Sequence, residues 1–297
     1  MKKPFVSVII PAYFSNNTIV DCLSSLQQQE FMDFEVIVVN SSPEEWTAQI
    51  VTGQFPEVTF IQSKTRLFPH DARNRGVEHA QGELLVFTDP DCTYPPDWLT
   101  CLVCAYQNGH QVIVGAMGHQ TKSWFENGVH LCKFFWALPG LPAGKLSIAP
   151  TANAAYSRSV WDQLGAFDGS IFAGDALQSW RATQQGFPPY FEPRAVVYHR
   201  HEGNLTSLWQ ERWIRGQEFL RERIKFYGWS RSKMVLYLII SPLLPFYVLI
   251  QTGLITVKSG WMGRFLWTLP VQFTGQAAWI LGEARACWKA LVSKPDP

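Results

Sequence analysis

Two carboxylates, Asp89 and Asp91, bracket Pro90 where the apolar run of "LLVFTDPDCTYPPDW" ends. In an extended chain residues i and i+2 face one side, so both could serve a single site. Two hard oxygen ligands suit Mg²⁺ or Mn²⁺, ions that share their coordination with substrate phosphates. Asp and Pro are also common turn formers, so the same residues fit a plain surface turn. A second i, i+2 pair, His199 and His201, closes "AVVYHRH". One imidazole there could complete a cation's ligand set or touch a phosphate; ordinary surface or core histidines fit as well. Cys101 and Cys104 form a lone C-x-x-C on an expected helix with no second pair, and read as buried apolar thiols.

The elements that must position these residues alternate in type. "VSVIIP", "FEVIVVN", "VTFIQS" and "ELLVFTD" read as strands. Between them "TIVDCLSSLQQQ", Trp46 to Thr52 and "DARNRGVEHAQG" read as helices, the last ending at Gly82. Continuous apolar strands alternating with helices predict an α/β fold with a mostly parallel central sheet covered on both faces. Ligands bind beyond the carboxyl ends of such strands, which points to the loops after Ile10, Val39 and Thr88. Further on come a helix after Leu99, the strand "QVIVGAM", "TANAAYS", a helix from near Ser159 and a short strand ending in the two histidines. A basic, Trp-bearing helix is expected from Asn204 to Tyr227. The opening "MKKPFVSVIIPAYF" has lysines before an apolar run but stops at Pro11 with no small-residue cleavage site, so it reads as a strand and not a secretory signal.

A net charge of +1 gives no electrostatic case for nucleic acid as a partner. Thirteen tryptophans and 47% hydrophobic residues are rich for a soluble enzyme, and much of the excess follows Met234. Met234 to Val257 carries no charge over about the length of a bilayer core. Phe265 to Leu281 is also uncharged but softer, with Pro270, Gln272, Thr274 and Gln276. A transmembrane or membrane-associated helical hairpin is expected; a pair of core helices is the alternative. Arg221, Arg223, Lys225, Arg231 and Lys233 precede the first stretch, and Arg285 and Lys289 follow the second. This bias places both ends on the cytoplasmic face of the cell (inner) membrane.

Taken in order and spacing, "VSVIIPAYFSNNTIVDCLSSL", "FEVIVVN", "ARNRGVEHAQGELLVFTDPDC" and "ANAAYSRSVWDQLGAFDGSIFAGDALQSWRATQQG" resemble the family 2 glycosyltransferases with a GT-A, Rossmann-like fold. The resemblance covers roughly Phe5 to Gly216. It implies a nucleotide-sugar donor, Mg²⁺ or Mn²⁺, and inversion at the anomeric carbon. Asp89 and Asp91 match the D-x-D that contacts the donor ribose and the diphosphate-bound metal, with Asp91 and His199 as metal ligands. Pro11, Ala12 and Tyr13 match the loop lining the nucleobase, and Asn40 stands where an acid near the base is usual. Arg73 and Asn74 match a helix start that could serve a phosphate; pairing of Arg73 with Asp71 or Glu78 is the alternative. Asp175 matches the second member of an acidic pair that supplies the catalytic base, with Gly174 in place of the first and Leu177 where a further acid often stands. An Asp at a helix N-terminus is also an ordinary cap. Arg212 and Arg215 in "QERWIRGQ" match a segment that could hold the diphosphate, or could face lipid headgroups beside Trp209 and Trp213. The Q-x-x-R-W spacing of processive polysaccharide synthases is not met.

The expected organisation is a catalytic domain over 1–203, a basic interfacial helix over 204–232, and two hydrophobic helices with a short tail over 233–297. The expected function is hexosyl transfer to a lipid-linked or membrane-proximal glycan or lipid acceptor. A catalytically weak or inactive nucleotide-sugar-binding protein docking a membrane glycan-assembly complex is the alternative, motivated by Gly174 and Leu177. A dinucleotide-binding oxidoreductase is disfavoured because no G-x-G-x-x-G follows the first strand.

Overall fold

The computed structural model describes residues 3–293; the outermost residues of the N-terminal run and of the expected tail lie outside them. The chain divides into two compact units, Met1–Gly118 with Pro142–Arg200, and His119–Leu141 with His201–Pro297. The strands are β1 (Val6–Ala12), β2 (Phe34–Asn40), β3 (Thr59–Gln62), β4 (Leu84–Thr88), β5 (Cys92–Thr93), β6 (Val112–Gly118), β7 (Gly144–Lys145), β8 (Asn153–Ser157) and β9 (Tyr190–His199). The first unit also holds helices α1 (Ile19–Gln27), α2 (Trp46–Gln54), α3 (Pro69–His79) and α4 (Trp98–Gln107). Helix α5 (Trp124–Phe134) belongs to the second unit, and α6 (Arg158–Leu164) and α7 (Gly174–Gln184) to the first. The second is completed by α8 (Leu205–Tyr227), α9 (Arg231–Ile240), α10 (Leu244–Ser259), α11 (Met262–Trp267) and α12 (Leu269–Val292).

In the first unit one sheet runs in the order β3-β2-β1-β4-β8-β6-β9-β5, with β7 paired to β9. Strands β1 to β4 are parallel, with Val8 beside Val36 and Val86. Ile9, Ile37, Val38, Leu84, Leu85 and Phe87 are fully buried, as continuous Val/Ile/Leu runs require in a sheet covered on both faces. The chain builds outward from β1 through β2 to β3, then returns to place β4 on the other side of β1. That reversal opens a crevice beyond the carboxyl ends of β1 and β4. Strand β8 inserts antiparallel between β4 and β6, which the apolar pattern alone does not disclose.

Asn153 on β8 fixes this half of the sheet. Its amide nitrogen donates to the carbonyls of Ala116 on β6 (3.0 Å) and Ala195 on β9 (2.8 Å), and its oxygen accepts from Trp98 Nε1 on α4 (3.0 Å). A Cβ at Gly115 would lie 2.1 Å from that amide nitrogen, so the strand tolerates no side chain there.

The second unit is helical. Asn204 and Ser207 form a reciprocal capping box on α8 (3.0 and 2.8 Å), a contribution of about 1 kcal/mol to the helix start. Helix α12 packs along α8 at reciprocal glycines. A Cβ at Gly216 would lie 2.3 Å from the Trp279 carbonyl oxygen, and one at Gly282 would lie 2.3 Å from that of Trp213. Helix α12 also buries Gln272, Gln276 and Glu283, so the softer of the two uncharged stretches belongs to a packed helix. Among the described residues one stretch, Arg231–Ser259, is long and apolar enough to cross a membrane, with 29 residues and a mean hydropathy of 2.0 over its best window. Leu236, Ile239, Leu243, Phe246, Ile250 and Leu254 on it are exposed. The expected hairpin is thereby narrowed to one candidate apolar helix.

Candidate active site

Asp89, Pro90, Asp91 and Cys92 form a tight turn, closed by the Cys92 amide donating to the Asp89 carbonyl (3.2 Å). Proline at the second position suits such a turn. The chain turns here, as Asp and Pro favour, and does not adopt the extended geometry expected for the pair. The two carboxylates still meet at one imidazole. His199 Nε2 lies 3.6 Å from Asp91 Oδ1 and 3.9 Å from Asp89 Oδ2. Strand β5 brings this about by pairing Cys92 with His199 at the end of β9.

Below the turn, Thr88, Tyr94, Cys22 and Cys92 are buried. Tyr94 Oη bonds Thr88 Oγ1 (2.9 Å) and lies 3.4 Å from Cys22 Sγ, and Tyr94 stacks on Trp98 with centroids 4.1 Å apart. Burial pushes the Cys22 thiol up to about 12 and raises that of Cys92 well above its ordinary value, so both remain thiols. Asp91, Cys92 and His199 offer ligand atoms within 4.8 Å of one another.

Arg73 is buried and pairs with Asp89, not with Asp71 or Glu78 as the alternative reading had it. The helix starts earlier than expected, at Pro69, a residue pre-set for the first helical position. Arg73 thus sits in the second turn and not at the N-terminus. The same helix ends at His79 and not at Gly82; Gly82 instead lets the chain approach β1, its amide donating to Ser7 Oγ (2.8 Å). The Asn74 amide group exchanges hydrogen bonds with the backbone of Phe167 (2.9 and 3.0 Å).

Pro11 and Ala12 end β1 and are buried, while Tyr13 beyond them is exposed. The Arg66 guanidinium lies 4.6 Å from the Tyr13 ring centroid. Phe14 adopts φ +50°, a left-handed conformation rare for an aromatic residue, held by its amide donating to Ser42 Oγ (2.7 Å). Asn40 is fully buried; its amide donates to Gln62 Oε1 (2.9 Å) and its oxygen accepts from the Ser42 hydroxyl (2.9 Å). It braces the loop that presents Tyr13 and Phe14.

Asp175 lies half-buried in the first turn of α7, its carboxylate accepting the neighbouring Ala176 amide (2.7 Å). Gly174 before it is sterically required. A Cβ there would lie 2.7 Å from His70 Cδ2 and 2.8 Å from the Asp168 carbonyl oxygen. His70 is buried on α3, one turn before Arg73, with Nε2 3.2 Å from the Phe172 carbonyl oxygen. Burial holds its pKa below the ordinary histidine value, against the opposing pull of the Asp175 carboxylate. His70 and Arg66 were not legible as site residues, since a lone histidine or arginine carries no spacing signal.

His201 does not share a strand face with His199, because β9 ends at His199. Its ring belongs to the second unit, where it meets His119 and His130. Arg212 and Arg215 also lie in that unit. Arg212 is buried, 4.1 Å from the Trp279 ring centroid, and Arg215 pairs with Glu211 (3.2 Å).

The family model described as "Glycosyl transferase family 2" matches residues 7–165. Glycosyltransferase AglE of Haloferax volcanii is 25% identical over 210 residues, covering 66% of this chain and 67% of that protein. Probable glycosyltransferase YdaM of Bacillus subtilis is 24% identical over 302 residues, covering 94% and 71%. Among solved structures, mannosyltransferase PcManGT from Pyrobaculum calidifontis, in complex with GDP-Man and Mn²⁺, superposes with a TM-score of 0.67 at 18% identity, covering 97% of this chain and 88% of that one. S. aureus TarS 1-349 with UDP-GlcNAc gives 0.52 at 18% identity, covering 94% and 90%. These structures share the fold. With its family segment spanning more than half of its 297 residues, the chain belongs to glycosyl transferase family 2 and is a glycosyltransferase of GT-A fold.

Proposed function

We propose that this enzyme moves a sugar from a nucleoside-diphosphate donor to a lipid-linked or membrane-proximal glycan or lipid acceptor, with inversion and with a divalent cation. The observation that carries the reading is the Asp89–Cys92 turn at the carboxyl end of β4, with His199 within 3.9 Å of both carboxylates. Two carboxylates and an imidazole, half-buried and open to substrate, fit Mg²⁺ or Mn²⁺. Asp91 and His199 would hold the ion, and Asp89, braced by Arg73, would face the ribose and diphosphate. When bound, such an ion supplies neutralisation of the charge growing on the leaving diphosphate. That the similar PcManGT was solved with GDP-Man and Mn²⁺ supports this donor class and cation.

Pro11, Ala12 and Tyr13, on the loop braced by Asn40, would line the base. Asp175 would take the acceptor hydroxyl proton as its oxygen bonds the anomeric carbon and the bond from that carbon to the donor phosphate oxygen breaks. The single acid at this position follows from the His70 ring, which fills the space a side chain at 174 would need. Arg212 and Arg215 are engaged within their own unit, so the donor contacts proposed here are those of the sheet unit. The Arg231–Ser259 stretch, with basic residues before it, supports anchoring of the enzyme with its catalytic part on the cytoplasmic face of the cell membrane.

The test is release of nucleoside diphosphate from a panel of nucleotide sugars by the full chain with Mn²⁺. Turnover that persists unchanged in Asp89→Ala or Asp91→Ala refutes the reading. Donor binding without turnover in the unmodified enzyme, unaffected by Asp175→Asn, would identify a donor-binding docking protein instead.

A further inference from the structure

Three of the chain's seven histidines, His119, His130 and His201, come together inside the second unit. They are 5%, 0% and 6% exposed, and each offers a ring nitrogen within 4.8 Å of the other two. His130 Nδ1 lies 3.0 Å from His201 Nε2. The rings of His119 and His130 are nearly parallel, with centroids 4.9 Å apart, and His201 stands 5.2 and 5.3 Å from them. Ligand nitrogens around a tetrahedral Zn²⁺ with bonds of about 2.0–2.1 Å are roughly 3.3 Å apart. The His130–His201 separation of 3.0 Å is already close to that, and since no ligand nitrogen is more than 4.8 Å from the others, a shift of His119 by at most about 1.5 Å completes the triangle.

The surroundings suit a buried ion that does not turn over. Phe134 and Trp261 pack on the cluster, with Phe134 5.5 Å from His130 and Trp261 stacked 5.6 Å from it. The Glu126 carboxylate, 3.8 Å from His119 Nε2, brings the negative charge that offsets part of an ion's charge. Arg264 is the opposing cation nearby; it donates to the His119 carbonyl (3.1 Å) and lies over Trp261 (4.3 Å). All of these residues belong to the second unit. Three imidazole nitrogens select a borderline-soft ion over Mg²⁺ or Mn²⁺.

We infer that His119, His130 and His201 form a structural Zn²⁺ site, distinct in ligand chemistry from the Asp91–His199 group. The three ligands lie just after β6, within α5 and just before α8, so a bound ion ties together the two separate chain segments that make up this unit. A cross-link between such segments stabilises the folded unit by the free energy of ion binding.

The test is the zinc content of the full-length protein, grown with zinc and dialysed against Mn²⁺ buffer. About one zinc per chain is expected in the wild type and in Asp91→Asn, with at least a tenfold loss in His130→Gln, since altering even an outer-shell partner of a ligand costs about 10–100-fold in metal affinity. X-ray absorption at the zinc edge of the wild type should show three imidazole nitrogens at about 2.0–2.1 Å, a readout that holds even if His130→Gln fails to fold. Zinc below a tenth of an equivalent in the wild type overturns the inference. So does zinc that leaves with Asp91→Asn, or an absorption spectrum dominated by oxygen.

Discussion

The Asp89–Asp91–His199 group and the His119–His130–His201 cluster each bring three ligand-type side chains together, yet differ in every respect that governs use. In the first, Asp89, Asp91 and His199 keep 26%, 35% and 13% of their side-chain surface exposed. Its ligands are mainly oxygen, and an arginine already shares one carboxylate. In the second, no histidine exceeds 6% exposure and all ligands are nitrogen. An exposed oxygen site leaves room for substrate phosphates to complete the coordination, whereas a closed nitrogen site does not. Burial and ligand type therefore separate the group proposed for turnover from the one proposed for architecture, a distinction that residue identity alone does not make.

The sharpest way to break this division is at the proposed base. Asp175→Asn should lower the turnover rate by about 10²–10⁴-fold while donor affinity is unchanged; single-turnover kinetics beside a binding titration separates the two. Next, Asp91→Ala should reduce Mn²⁺-supported turnover by about 10²–10³-fold, the loss expected when one electrostatic contact to a developing charge is removed. Its thermal midpoint should change little, because the residue lies in a half-exposed turn. A large drop in the midpoint would mean that the turn is a structural element first.

Smaller effects concern what stands behind Asp175. Gly174→Ala forces a Cβ to 2.7 Å from His70 and 2.8 Å from a fixed carbonyl, and should destabilise the fold by roughly 1–3 kcal/mol in denaturant titrations. Combining it with His70→Ala should recover part of that loss, a coupling a double-mutant cycle measures. The smallest effect is in pH. His70 has a folded pKa below its unfolded value, so as pH falls through about 6.5 the unfolded chain takes up a proton that the folded one refuses. Stability should therefore decline below that pH by at most about 1.4 kcal/mol per pH unit, and His70→Gln should flatten the profile. A slope that survives the substitution assigns the effect to another group.

The parallel strands and the position of the two acids were legible because continuous Val/Ile runs and a D-x-D survive as local patterns. The geometry of the acids was not. An i, i+2 rule presumes extended chain, and the backbone instead closes a turn from Asp89 to Cys92. The same rule groups His199 with His201, two residues beyond the strand's end, and so hides the cluster that His201 joins. Its partners His119 and His130 are 82 and 71 positions away, a separation at which no spacing argument operates. The direction of β8 was equally silent, since apolar runs record burial and not polarity of the chain. Arg73 reads as a helix start from its local pattern, whereas the helix already begins at Pro69. The role of Gly174 needed coordinates, because a missing side chain reveals its reason only through the neighbour that occupies its place.

The Asn153 side chain has a consequence for how the sheet unit opens. One amide group holds β8, β6, β9 and α4 at once, and all its bonds run to buried partners. Loosening any one of these elements breaks its bond to this buried amide and leaves polar atoms without a partner, so none has a cheap way to come away alone. The far half of the sheet should therefore exchange its amide protons as a single slow group, while the exposed loop carrying Tyr13 exchanges faster.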